Sequence, residues 1–292
     1  MSGTVFIQDV NQRATAARAA RQAGSATAAV RWSFIGRSDE NVGDAVPMAR
    51  MLRGSGGRGG ATRLKLYLSF LWLARGRDKP VFGYPAQQLA ALLGLPTPDV
   101  AGARRIQDAL KWLHDQRFVA LDRRPGEVTR VHLLDDAGSG TPYRDPGTLT
   151  TRQPKRPQLA REPHFYVRLD RELWTEGWIA ELSGAGIAMY LAALREQRGR
   201  DSEPIWISPR IGREQYDLSD ETRNKGLREL VDHGLLELER QAVPQTSFDE
   251  RYRARNVYRV APGGFRSPGD PFGTPRRISR RPSRPPSSDS LA

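Results

Sequence analysis

The chain contains no cysteine among its 292 residues. Disulfide bonds, zinc sites built from thiolates and thiol catalysis are therefore excluded. Histidine is scarce, because only His114, His132, His164 and His233 occur, and no two of them form a His-x-His metal pair. The glycine-rich run at 54–60 is not followed by the Lys-Ser or Lys-Thr of a phosphate-binding loop, and no compact acidic cluster indicates a two-metal centre. We therefore expect neither enzymatic activity nor a metal or other cofactor.

Long apolar runs are missing as well. No stretch approaches the roughly 18 apolar residues of a membrane-spanning helix, and the N-terminal region lacks the apolar segment of a secretory signal. We expect a cytoplasmic, nucleoid-associated protein. Neither a membrane nor a small-molecule ligand is expected among its partners.

Lysine is rare, whereas arginine is abundant. Of the 46 basic residues only five are lysine, and the 33 acidic residues leave a formal charge of +13. This arginine bias, together with many alanines and glycines, is typical of a GC-rich genome, but such a bias does not create net charge. A strongly basic chain with a pI near 10.6 favours a polyanionic partner, usually nucleic acid.

One pattern occurs twice in the chain: a helix, a short strand, a second helix, a long basic third helix and a basic hairpin. The first copy spans about 63–134 and the second about 185–260. The third helices align without gaps, with 106–113 over 223–230, and Pro80 to Pro85 aligns with Pro204 to Pro209 upstream. Because the repeat period is far longer than that of a solenoid, the pattern indicates a domain duplication.

The elements of each copy predict a helix-turn-helix followed by a two-stranded wing. We therefore predict a mainly α fold with small β hairpins (α+β), built from two tandem winged helix-turn-helix domains with disordered basic termini. The expected segments are a flexible basic N-terminal arm at 1–62, a first winged helix at 63–134, a Pro/Gly-rich linker at 135–162, a second winged helix at 163–261 and a disordered Arg/Pro/Ser tail at 262–292.

In such a unit the third helix enters the major groove of DNA and the wing lies against phosphates. Small residues, Ala109 and Gly226, are expected to pack this helix against the second helix. Their outward-facing neighbours carry side chains that bind base edges, usually Arg, Lys, Asn or Gln. The predicted DNA-contacting residues are Arg104, Arg105, Gln107 and Lys111 with wing residues Arg123, Arg124 and Arg130 in the first copy, and Thr222, Asn224, Lys225 and Arg228 with wing residues Arg251, Arg253 and Arg255 in the second.

This layout resembles plasmid replication initiators of the tandem winged-helix type. The resemblance rests on Ile106-Gln107-Asp108-Ala109-Leu110 and on Thr222-Arg223-Asn224-Lys225-Gly226-Leu227, each followed by a hairpin. It implies that both domains bind repeated origin sites on double-stranded DNA, that one domain also forms a homodimer, and that the protein recruits host replication proteins. The chain departs from the family in its long leader, in its Arg-Pro-Ser tail and in Arg223, which replaces an apolar residue.

Two other functions fit the same residues. A transcriptional repressor or regulator would bind one operator as a dimer and act with the transcription proteins of the host. A partition or nucleoid-organising scaffold would bind DNA without sequence preference. Directly repeated sites favour the initiator, a single palindrome favours the regulator, and the absence of a discrete site favours the scaffold.

Overall fold

The computed structural model describes residues 10–38, 45–53, 58–148, 165–197, 203–244 and 252–266. The predictions for residues 1–9, 39–44 and 54–57 of the N-terminal arm, for residues 149–162 of the linker and for residues 267–292 of the tail lie outside the described residues. No helix in the described part of the chain is long and apolar enough to cross a membrane.

The N-terminal residues form helices and a strand that pack into the protein. Alanine favours helix, and its small side chain allows close packing; Ala16 and Ala23 are buried on one side of the first helix, together with the polar Gln12. The prediction of a flexible arm at 1–62 is therefore wrong for the described residues of that range. These elements are α1 (Val10–Ala23), β1 (Thr27–Arg31), α2 (Trp32–Ile35) and α3 (Pro47–Leu52).

The first copy of the repeat folds in the predicted order. Leu64, Leu68 and Leu71 are fully buried on the inner face of its first helix. The hairpin register places Val119 opposite Leu133, and along the last strand the buried Val131 and Leu133 alternate with more exposed positions. The short strand pairs with the last strand of the hairpin, so the last strand lies at the centre of a three-stranded antiparallel sheet. The elements are α4 (Arg58–Leu73), β2 (Val81–Phe82), α5 (Ala86–Leu92), α6 (Ala103–Asp115), β3 (Val119–Asp122) and β4 (Arg130–Leu133), with a π-helical turn at Pro98–Gly102 before α6.

Two buried carboxylates anchor the segment that follows the first hairpin. Asp136 is fully buried and pairs with Arg31 of β1, which also lies 3.3 Å from Asp135. Asp145 is fully buried as well and binds Arg75. Because each buried charge is paired, these residues are held in place. The prediction of a linker at 135–162 is therefore wrong for the described residues 135–148.

A middle block connects the two copies. It consists of β5 (Tyr166–Asp170), α7 (Glu172–Thr175) and α8 (Trp178–Glu181). β5 pairs antiparallel with β1. Trp174 stacks on Trp72 of α4 at 4.5 Å between ring centroids and donates its indole N–H to Ser69 at 2.9 Å. The middle block is thereby packed against the first helix of the first copy.

The second copy repeats the order of the first. Its elements are α9 (Gly184–Gln197), α10 (Pro209–Glu214), α11 (Asp220–Asp232), β6 (Leu236–Pro244) and β7 (Tyr252–Val260). Ile205 forms a β-bridge with Tyr258, so the short strand again adjoins the last strand. Pro209 occupies the first turn of α10, and Ser219 Oγ accepts a hydrogen bond from Thr222 N at 3.1 Å to cap α11.

The two copies match closely around the third helix. α6 and α11 are both 13 residues long, and each ends two residues before a left-handed residue, Arg117 in one copy and Gly234 in the other. The upstream alignment of Pro80 with Pro204 is wrong by one residue, because the N-caps of α5 and α10 are Pro85 and Ser208.

Gly226 packs against the first helix of its copy, so the predicted contact with the second helix is wrong. A Cβ atom at Gly226 would lie 2.3 Å from the carbonyl oxygen of Ala185 in α9. Only the hydrogen side chain of a glycine fits where α11 crosses α9, and the backbones of the two helices therefore approach each other closely. Ala109, the matching residue of α6, is also buried.

Buried residues of both copies and of the middle block belong to one continuous hydrophobic core. This core extends to Phe265, in a short 3-10 turn at Gly264–Arg266. The Phe265 ring lies 4.4 Å from the Tyr190 ring, and its carbonyl accepts a hydrogen bond from the Trp178 indole at 3.1 Å. The predicted disordered tail at 262–292 is therefore wrong for its described residues, 262–266.

Candidate nucleic-acid interface

The outer face of α6 carries four of the predicted DNA-contacting residues. Ile106, Ala109, Leu110 and Leu113 are buried, and this helical spacing turns the intervening positions towards solvent. The structure brings Arg104, Arg105, Gln107 and Lys111 together on this exposed surface. Within the described ranges, their three cationic side chains have no ion pair. Asp108 and Asp115 are exposed on the same helix.

The outer face of α11 is exposed in the same way. Asn224, Lys225 and Arg228 are exposed, while Thr222 is half-buried and its hydroxyl lies 2.9 Å from the capping Ser219 Oγ. Thr222 therefore serves the start of the helix. Asn224 Oδ1 accepts a hydrogen bond from Arg223 at 2.5 Å, so its amide N–H groups remain for a ligand, together with the side chains of Lys225 and Arg228.

Arg223 takes a structural role in place of the apolar residue of the first copy. Its Nε donates to the carbonyl oxygen of Ile207 at 2.9 Å, and its aliphatic part lies against Gly212 of α10. Such a side chain buries its methylene groups while its charge remains hydrogen-bonded. Glycine at position 212 leaves the space that this arrangement requires.

The outer faces of α6 and α11 are alike at some positions and opposite at others. At one pair of corresponding positions both helices carry an amide, and at another both carry a cation. At two further pairs the two helices carry charges of opposite sign. The like pairs are Gln107 with Asn224 and Lys111 with Arg228, and the opposite pairs are Arg104 with Glu221 and Asp108 with Lys225. The two helices therefore offer different hydrogen-bonding patterns to a ligand.

The carboxylates of α11 differ in their availability. Asp220 is held by Arg213 at 2.6 Å, and Glu229 accepts a hydrogen bond from Ser183 N at 2.6 Å. Glu221 and Asp232 are exposed and line a shallow depression that also contains Lys225. The outer face of α11 is consequently less cationic than that of α6.

The hairpin of the first copy, β3 and β4, presents three exposed arginines. Arg123 has no ion pair among the described residues, Arg124 lies 3.3 Å from Asp122, and Arg130 lies 3.6 Å from Glu127. Exposed ion pairs of this kind contribute about 0–1 kcal/mol. Arg124 and Arg130 can therefore exchange their carboxylates for a phosphate at little cost.

The hairpin of the second copy, β6 and β7, is described only in part. Arg251 lies outside the described residues, and so does the side chain of Arg253. Arg255 is half-buried, donates to Gln241 Oε1 at 2.8 Å, and lies over the Trp206 ring at 4.8 Å. Of the three predicted wing residues, Arg255 is thus already engaged within the protein.

The arginines of α1 form a further exposed basic surface. Arg18 and Arg21 are exposed, and α1 contains no acidic residue. The signal that could have identified them is the spacing of Arg18 and Arg21, which places both on one helical face. Because the segment lacks a broad apolar stripe, its composition predicts a flexible arm and does not define a helical face.

The exposed groups of these faces suit ionic and hydrogen-bonding contacts with a polyanion. In the described part of the chain, no group of three or more His, Cys, Asp or Glu residues is arranged to hold a metal ion. No family model, curated protein or solved structure matches this chain.

Proposed function

We propose that this protein binds double-stranded DNA through two winged helix-turn-helix units and acts as a replication initiator of a plasmid or another mobile element. The observation that carries the proposal is the duplicated unit, in which α6 and α11 each expose an outer face with side chains of the types that hydrogen-bond base edges. The basic charge of the chain supports the same partner.

The strand order in each copy supports the assignment to winged helices. In both copies the short strand adjoins the last strand of the hairpin, and a helix-turn-helix precedes that hairpin. A left-handed residue, Gly94 or Asp217, lies in the turn of each helix-turn-helix. In such units the third helix contacts bases in the major groove, while the wing contacts the backbone.

The shared core and the unlike helices favour an initiator over a repressor. A chain whose two units are joined by one core can occupy two successive sites as a monomer. Because α6 and α11 differ in charge at corresponding positions, the two sites differ in sequence. Asymmetric sites repeated in one direction suit an origin, whereas a palindromic operator requires the two-fold symmetry of a dimer.

A footprint on the DNA flanking the gene, at about 0.15 M salt where distant charges are screened, tests the proposal. Several protected direct repeats are the expected result. One protected palindrome over the promoter would replace the initiator with a repressor. Binding without a discrete footprint would leave only a non-specific scaffold, and no binding at any salt concentration would refute the DNA assignment.

The variant Lys225→Ala/Arg228→Ala tests the contact residues of α11. Each well-placed side chain contributes about 1–3 kcal/mol of base discrimination, so affinity for the protected site should fall towards the non-specific level. The charge-matched control is Arg144→Ala/Arg168→Ala, which removes two exposed arginines outside both third helices and wings. Undiminished site preference in the first variant would contradict the role assigned to α11.

A further inference from the structure

α1 packs against α5 and runs antiparallel to it. At one end, Gln12 Nε2 donates to the carbonyl oxygen of Leu92, the last residue of α5, at 3.1 Å, and to that of Trp174 at 2.9 Å. At the other end, the Tyr84 hydroxyl, two residues before α5, donates to Gln22 Oε1 at 2.8 Å. Gln12 is buried, so these contacts fix α1 to the first helix of the helix-turn-helix.

The cations of α1 gather where α5 begins. Arg18 and Arg21 are one helical turn apart, are exposed, and have no ion pair within the described ranges. Arg77 donates to the carbonyl oxygen of Gln22 at 2.9 Å, which brings a third exposed guanidinium to the same end. The remaining arginine of α1, Arg13, lies at the opposite end and pairs with Glu176 at 3.4 Å.

We infer that Arg18 and Arg21, together with Arg77, form a phosphate-binding patch that extends the DNA contact of the first copy beyond its helix-turn-helix and wing. The inference rests on the proposed function, because it assumes that the first copy binds duplex DNA. The ligand is the sugar–phosphate backbone beside the major groove that α6 enters.

The docking geometry of helix-turn-helix proteins supports this placement. Their first helix crosses the DNA backbone while the second lies in the groove. In this docking geometry, an arginine patch beside the start of α5 therefore lies close to the phosphates. The guanidinium group suits this contact, because it presents several N–H donors in a plane that matches phosphate oxygens. A helix already fixed by Gln12 and Gln22 also loses less conformational entropy on binding than a flexible arm would.

The test compares the full chain with Arg18→Ala/Arg21→Ala on a mixed-sequence duplex of roughly three helical turns. Binding is measured by fluorescence anisotropy across a salt series. Each phosphate contact contributes about 0.9 to the slope of log K against log salt, so the double variant should lower that slope by about 2. The ratio of wild-type to variant affinity should accordingly shrink about tenfold between ~50 and ~200 mM salt.

The control is Arg13→Ala/Arg144→Ala, which removes the same charge, including the paired arginine at the far end of α1. Its slope should stay within about 0.5 of wild type, since it removes none of the inferred contacts. Alanine preserves the helix in both variants, and equal thermal midpoints would verify folding. An unchanged slope in Arg18→Ala/Arg21→Ala, or an equal loss in the control, would overturn the patch. Failure of the wild-type protein to bind any duplex would instead refute the proposed function.

Discussion

Lys65 places a positive charge inside the protein. Its side chain projects from α4 and is 8% exposed, and Nζ donates to the carbonyl oxygen of Ala180 in α8 at 3.2 Å. Burial disfavours the charged ammonium group and lowers the pKa of Lys65 to about 8, although Glu229 and Glu181 partly oppose the shift. The protein is therefore expected to release this proton well below the ordinary lysine pKa of 10.5.

This shift predicts how stability depends on pH. Between about pH 8 and 10.5 the folded protein has lost the proton of Lys65 while the unfolded chain retains it. Stability therefore rises with pH in this window, by up to about 1.4 kcal/mol per pH unit from this group. Lys65→Met should remove this pH dependence. The difference in the free energy of unfolding between the variant and the wild-type protein should therefore favour the variant most near pH 7 and shrink towards pH 10. Urea unfolding of both proteins across this range measures the difference, and parallel pH profiles would contradict the assignment.

The pairing of Arg31 with Asp136 illustrates what the sequence alone leaves undetermined at single residues. The two lie 105 positions apart, and both stand in segments whose composition predicts an arm and a linker. Burial disfavours the charge on Arg31, but Asp136, Asp135 and Tyr143 overcome this effect and raise its pKa. A long-range ion pair of this kind has no local pattern, so only the folded chain reveals it.

At the level of elements, α10 and α11 of the second copy could be predicted because their signals are local. Ser219, Pro209 and Gly234 mark helix ends through their own backbone and capping chemistry. α1 lacks such signals, since its buried face consists of alanines and Gln12. The polar Gln12 side chain becomes an inward-facing residue only because two carbonyl oxygens from distant segments meet it.

The crossing of α9 and α11 yields a prediction for Gly226→Ala. Alanine is more favourable than glycine in a helix by about 1 kcal/mol, so the same change would stabilise a helix at a solvent-exposed position. Here the added Cβ would lie 2.3 Å from Ala185 O and 2.6 Å from Met189 Cγ, and the helices must separate. We expect a net loss of about 1–3 kcal/mol, measured by urea unfolding. Lys225→Ala, at the exposed neighbouring position, should cost little; a stabilised Gly226→Ala protein would show that the crossing can relax.

For the whole molecule, the continuous core packs the two copies together instead of leaving them as separate domains. The sequence predicts two domains joined by a Pro/Gly-rich linker, because prolines and glycines interrupt regular structure in residues 135–162. Instead, Trp72 of α4 stacks on Trp174 of the middle block, and Gly184 of α9 lies close to Leu52 of α3 and Ala61 of α4. Packing between the copies depends on residues scattered along the chain and is not visible in either repeat. A shared core also limits how far the copies can move independently.

This restriction predicts that DNA affinity depends steeply on the spacing of the two sites. In duplexes that carry both sites, inserting about five base pairs between them turns the second site to the opposite side of the helix, and inserting about ten restores its orientation one turn farther away. Copies joined by a flexible linker would recover affinity with the longer insertion. Copies fixed in one core should lose the second contact in both cases, and the affinity should fall to that of a single-site duplex. Titration of the four duplexes decides between these cases, because recovery at ten base pairs would require the core to open on DNA.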